Sequence, residues 1–240
     1  MARMAGASWR PIPANYTPNG QTSVRGVVVH IMAGTLAGTE SWFRNPQARA
    51  SSHFGTGRSG RLYQWVDTKD RAWAQAAGNT SWLSVENEGQ GGDALTHVQL
   101  AYNAEVLAWA HRVYSVPLQV ASGPNGAGLG WHGMGGKAWG GHTSCPGPRI
   151  VAQLPEIVEL ARNIIDQEDD PMAGMDQRDV FNAAWNTDGL AAPKSAPDAD
   201  TNKFWTPSSY LRSIYNSLMR QEKELASLRA EVADLRKRVK

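Results

Sequence analysis

Residues 24–31 read V-R-G-V-V-V-H-I, and this run limits the fold more than any other part of the chain. Three successive valines leave no polar face to turn toward water, which is the signature of a buried central strand in an α/β sheet. The strand ends on His30. A lone histidine there is by default a satisfied core residue, but strand ends that open into glycine-containing loops are where ligands collect in such sheets.

What decides between the two lies a hundred residues on. Residues 131–147, W-H-G-M-G-G-K-A-W-G-G-H-T-S-C-P-G, place His132 and His142 near Cys145, the only cysteine among 240 residues. Thiolate and neutral imidazole are good zinc ligands, and a catalytic zinc takes three protein ligands and leaves a fourth position open. The glycines at 133, 135, 136, 140 and 141 let the backbone fold tightly enough for such irregular spacing to converge. Pro148 reads as a first helical position, and a helix N-terminus beside Cys145 favours its thiolate. The plain alternative is a packed cysteine beside a glycine-rich loop. With histidine and cysteine available here, His30 becomes the candidate third ligand.

Between these two stretches the pattern is that of a mixed α/β domain. A short helix is expected near residues 39–44. Residues 50–56 and 61–66 are strand-like and joined by G-R-S-G, a hairpin signal. His53 sits on the first; as a fourth ligand it would close the site, so it reads as lining or core. Residues 81–89, S-W-L-S-V-E-N-E-G, form a third strand with Glu86 and Glu88 on one face. A carboxylate on a sheet edge is usually solvated, whereas one aimed at an attacking water is a general base. Residues 101–114 carry apolar side chains at helical spacing, and residues 148–166 form a closing helix. His97 and His111 read as ordinary surface or packing histidines.

Composition excludes several classes. A formal charge of +2 is too small to argue for nucleic acid, and one cysteine excludes an intramolecular disulfide framework. No apolar h-region follows Met1 and no run approaches a membrane span, so the expectation is a soluble chain without an export signal and without membrane contact. Ten tryptophans against four phenylalanines suit a sugar or peptide groove, although core packing accounts for most of them.

Taken in order, V-V-V-H, A-S-S-H-F, a G-x-x-Y-Q hairpin strand, S-V-E-N-E-G, G-L-G-W-H-x-M and T-S-C-P-G resemble the zinc-dependent N-acetylmuramoyl-L-alanine amidases related to peptidoglycan recognition proteins, in the form found in endolysins of actinobacteriophages. The resemblance covers about residues 20–165. It implies a mixed central sheet flanked by helices, Zn²⁺ as cofactor, and hydrolysis of the amide joining N-acetylmuramic acid to L-alanine in bacterial peptidoglycan. It implies zinc ligation by His30, His132 and Cys145, with Glu86 as catalytic glutamate. Three positions depart from relatives: Lys137 stands eight before the cysteine, where many have the second histidine; Ser52 stands where some have a catalytic tyrosine; Thr143 stands where others have a lysine. His132 is preferred over His142 because W-H-x-M follows a strand as in the endolysin form, and Thr143 directed into the site would turn His142 away.

The implied chemistry follows from charge. Two neutral imidazoles and one thiolate leave net positive charge on zinc, which polarises the scissile carbonyl and acidifies the attacking water. Glu86 takes the water's proton and returns it to the leaving amine, and Thr143 donates a hydrogen bond to the oxyanion. Cys145 as nucleophile is the rival chemistry. Two other functions use the same residues: a peptidoglycan-binding module without catalysis, and a structural zinc domain closed by His53 or His142. As an endolysin the protein would stay in the host cytoplasm until lysis and then act on the cell wall.

The expected organisation is an arm over 1–23, the catalytic domain over 24–166, an acidic linker over 167–206 and a coiled-coil helix over 207–240. Residues 166–200 hold nine acidic and two basic side chains, and a short helix is expected around 176–185. Asp198 and Asp200 read as solvated spacer. Beyond Pro207, Leu211, Leu218, Leu225, Val232 and Val239 recur every seven residues, with Ile214, Leu228 and Leu235 three after them and Gln221 as the polar intrusion. Glu224 and Glu231 precede Arg229 and Arg236 by five, the relation that pairs charges across a parallel coil, so residues 211–239 are expected to form a homo-oligomer rather than a docked helix.

Overall fold

Val27, Val28 and Val29 lie fully buried in β3 (Gly26–Ile31), the strand on which the sheet is built in this computed structural model. The structure describes residues 3–169, 177–187, 189–194, 196 and 201–238. Asp176, Asp198, Asp200 and Val239 lie outside the described residues. The other elements of the first unit are β1 (Ser8–Trp9), β2 (Tyr16–Thr17), α1 (Leu36–Arg44), β4 (Phe54–Gly57), β5 (Arg61–Gln64), β6 (Arg71–Ala72), β7 (Trp82–Asn87), α2 (His97–Tyr114), β8 (Gly128–Trp131), α3 (Pro148–Val151) and α4 (Leu154–Asp169).

The six-stranded sheet has the order β1-β5-β4-β7-β3-β8. All its pairings are parallel except the β4–β5 hairpin, so the sheet is mixed. Alternation along β3 sends Val27 and Val29 into the main core, the cluster that also holds Leu100, Ala104 and Leu107 of α2 and Ile157 and Ala161 of α4. Val28 goes to the opposite face and packs with Trp82, Ala121 and Trp139. Helix α2 begins one residue after Thr96, whose side chain accepts from the Gln99 backbone in a capping box. The expected closing helix is broken into α3 and α4.

Residues 1–23 do more than form an irregular arm. β1 runs parallel to β5, β2 pairs antiparallel with β6, and Met4 and Ile12 are buried. Two-residue strands have no hydrophobic period to read, which is why the pattern misses them.

The chain divides into two units, Met1–Asp170 and Pro171–Lys240. The second unit contains α5 (Gln177–Trp185), an antiparallel ladder of β9 (Leu190–Ala191) with β10 (Phe204–Trp205), and α6 (Pro207–Arg238). The ladder lies within the stretch expected to be a spacer. Helix α6 has no buried residue, and Leu211, Leu218, Leu225, Leu228 and Leu235 are each about half exposed.

Candidate metal centre

His30 and Glu86 are direct neighbours, because the parallel register of β3 and β7 sets one opposite the other near their C-terminal ends. The pairing turns both side chains to one face of the sheet, with His30 Nδ1 3.8 Å from Glu86 Oε1. His132 follows β8, the strand on the other side of β3. Its ring lies 4.4 Å from that of His30, centroid to centroid. Cys145 arrives from the loop before α3. The Gly133 N–H donates to the Cys145 carbonyl at 2.8 Å, and a Cβ on Gly133 would meet the Thr143 carbonyl at 2.5 Å, so only glycine lets the two segments approach. The metal-binding atoms of His30, His132 and Cys145 all lie within 4.8 Å of one another, the one such group among the described residues.

Neighbouring side chains hold the site in place. His132 Nε2 meets the Trp139 carbonyl at 2.9 Å, and Trp139 stands edge-on to Trp82. His30 Nε2 meets Gln75 Oε1 at 3.2 Å. Burial pushes the pKa of His30 well below the ordinary imidazole value, and His132 and His142 push it further. Burial lowers His132 too. Both rings are therefore neutral, the form that binds metal. Burial pushes Glu86 up to about 8. Cys145 is pushed up to about 12, first by burial and then by Glu86, while a hydrogen bond from the Ile31 backbone works the other way. The expected help from a helix N-terminus is overridden, since α3 is a single turn and the thiol is largely enclosed.

The remaining expected residues separate clearly. His53 is fully buried and bonded to Ser84 Oγ and to the Asp70 carbonyl, a core histidine. Ser52 is buried and donates to the Phe54 carbonyl. Thr143 is exposed. His142 is exposed as well but does not turn away: its ring lies 5.0 Å from that of His132, because Gly140 and Gly141 both take positive φ and fold the loop back. It is not in the group whose ligand atoms converge. Glu88 lies beyond the end of β7 and accepts from the Arg58 backbone. Gln75, which touches His30, carries no motif and is invisible to sequence reading.

The donors fit a metal ion. Two neutral imidazole nitrogens and a thiol converge, and Glu86 Oε2 beside them is buried without a hydrogen-bond partner. A buried thiol and a buried carboxyl both favour their protonated forms until a cation is placed among them. A cleft of about 360 Å³ opens beside Glu86, lined by Met32, Gly34, Thr35, Thr39 and Trp42 and by no other charged side chain.

An α/β sheet that presents two histidines and a buried carboxyl at the ends of adjacent parallel strands, met by a cysteine from a following loop, defines a protein with a candidate metal centre of the hydrolytic kind. The chain belongs to the N-acetylmuramoyl-L-alanine amidase family, whose sequence model matches residues 20–148. It is 37% identical over 91 residues to N-acetylmuramoyl-L-alanine amidase A of Achromobacter lyticus, a match covering 37% of this chain and 50% of that protein. The chain thus spans about half the length of the curated relative it matches. In fold it is similar to the Staphylococcus aureus hydrolase AmiA in complex with its ligand, at 20% identity and a TM-score of 0.53, over 71% of this chain and 89% of that one. It is also similar to a selenomethionine derivative of AmpD, at 19% identity and a TM-score of 0.51, over 65% and 96%.

Proposed function

We propose that this chain is a zinc amidase that hydrolyses the bond between N-acetylmuramic acid and L-alanine in peptidoglycan, as an endolysin of the actinobacteriophage type. The observation that carries this reading is the convergence of His30, His132, Cys145 and Glu86 beside an otherwise uncharged cleft. The mixed set of two nitrogens and one sulfur suits zinc among the divalent metals. His30, His132 and Cys145 hold the ion, which when bound supplies a Lewis acid for the scissile carbonyl and acidifies the attacking water. Glu86 accepts the water's proton on its carboxylate and returns it to the leaving amine, and its buried Oε2 has no competing partner. Thr143 donates a hydrogen bond to the developing oxyanion. The Gly34 and Gly38 backbone and the Trp42 ring leave room for a neutral sugar in the cleft. In this reading the protein stays in the host cytoplasm until lysis and then acts on the host wall. Actinobacterial cell walls incubated with the full chain should release free amino groups, a chelator should abolish the release, and Glu86→Gln should keep the metal but lose turnover. Unchanged walls would leave only a binding or structural role.

Helix α6 serves self-association in this reading. Leu225, Leu228, Arg229, Val232, Ala233 and Arg236 line a shallow groove on its surface, and the first four have the spacing of a hole that receives one side chain of a facing helix. Glu224 and Glu231 then face Arg229 and Arg236 of a second copy in parallel register. An immobile wall would be gripped by several catalytic units at once. A full chain that is monomeric by light scattering at micromolar concentration would refute this role.

A further inference from the structure

A histidine binds metal only through a ring nitrogen that carries no hydrogen, so each ligand histidine must be held in one tautomer. For His132 the backbone decides. Its Nε2 faces the Trp139 carbonyl at 2.9 Å, an acceptor only, so Nε2 carries the hydrogen and Nδ1 is free.

For His30 a side chain decides. Its Nε2 lies 3.2 Å from Gln75 Oε1, deep in the protein, where Gln75 is 1% exposed. A glutamine amide can turn either its oxygen or its nitrogen toward a ring. Here the choice is forced, because the other end of the amide lies 3.2 Å from the Trp82 carbonyl, an acceptor only, which the Gln75 nitrogen can face and its oxygen cannot. The oxygen therefore faces His30, the ring donates from Nε2, and Nδ1 keeps its lone pair, directed to the side of Glu86. Gln75 is itself fixed: its own N–H and that of Ala74 both donate to Asn79 Oδ1, at 2.6 and 3.0 Å.

We propose that Gln75 is a positioning residue that locks His30 in the Nε2–H tautomer and so makes Nδ1 its metal-binding atom. The lock runs from the Trp82 carbonyl through the glutamine amide to the ring. It costs no charge, unlike the carboxylate often found behind a ligand histidine, and so it leaves the charge of the site to Cys145 and Glu86. The effect on metal rests on the zinc reading, whereas the tautomer does not.

Two measurements on the full chain test it. Nitrogen-15 NMR of the histidines in the metal-free protein should show His30 as the Nε2–H tautomer, and Gln75→Leu should convert it to a mixture. Zinc affinity, by competition with a coloured chelator, should fall about 10- to 100-fold in Gln75→Leu and stay within a few-fold in Gln75→Glu, whose carboxyl, kept protonated by burial, donates to the Trp82 carbonyl and keeps an acceptor oxygen toward His30. The Nδ1–H tautomer in the unaltered chain would overturn the assignment, as would wild-type zinc affinity in Gln75→Leu. Equal weakening in Gln75→Glu and Gln75→Leu would also overturn it, since a merely structural role predicts that result. If Gln75→Leu does not fold, the tautomer of the unaltered chain and the affinity of Gln75→Glu still decide. If the chain takes up no zinc, the metal reading fails, and the tautomer alone decides the role of Gln75.

Discussion

Metal uptake by this site should be driven by pH in a way that counts its protons. The perturbation is pH, compared between the unaltered chain and Glu86→Gln. Metal binds the thiolate, and the Cys145 thiol is held up at about 12, so uptake expels its proton at any ordinary pH. Glu86 is held up at about 8, and a cation among its neighbours turns it into a carboxylate, releasing a second proton below that pH. His30 and His132 lie below 6.5, so above 6.5 they are already neutral and release none. Between pH 6.5 and 8 the account therefore predicts about two protons per zinc and an affinity that rises roughly 100-fold per pH unit. Above pH 8 it predicts about one proton and roughly tenfold per unit. In Glu86→Gln the release should be about one proton throughout. Isothermal titration of zinc into metal-free protein, in buffers of different ionisation enthalpy, reads the proton count directly. Equal release in the two proteins at pH 7 would refute the placing of Glu86 beside the metal.

His132→Ala should weaken zinc binding by at least about 100-fold and abolish activity, while His142→Ala should keep most of both, read by metal analysis beside a wall-lysis assay. Burial lowers His53 to about 4, so the stability it contributes is complete above 6.5 and is lost as pH falls toward 4, about 3 kcal/mol in all. Denaturant titrations should show a proton-linked slope in that window which is missing in His53→Gln. Leu225→Asp should shift the full chain to monomer in light scattering, since each copy forfeits about 2 kcal/mol of apolar burial and gains a charge at the seam.

The fold was legible where its causes are local. The valine run needs cover on both faces, and the mixed sheet flanked by helices is what the structure shows, although α2 starts at His97, behind a capping box at Thr96, rather than at the expected residue 101. Other features depend on contacts that no local pattern carries. The strands within 1–23 exist only because β5 and β6 offer them edges. Sequence spacing brings His142 near Cys145, but only the positive φ of Gly140 and Gly141 brings its ring to His132. The Cys145 thiol is predicted low from a helix start and found high, because enclosure outweighs one helical turn. Gln75 gives no signal at all; its role comes from the register that places Trp82 and His30 on either side of it.

The measurement that bears most directly on the account is the identity of the bond cleaved. Purified peptidoglycan digested by the zinc-loaded full chain and resolved by mass spectrometry should yield intact glycan strands and free stem peptides that begin with L-alanine, and none after chelation. New reducing sugar ends without free L-alanine termini, or digestion that survives complete removal of metal, would contradict it.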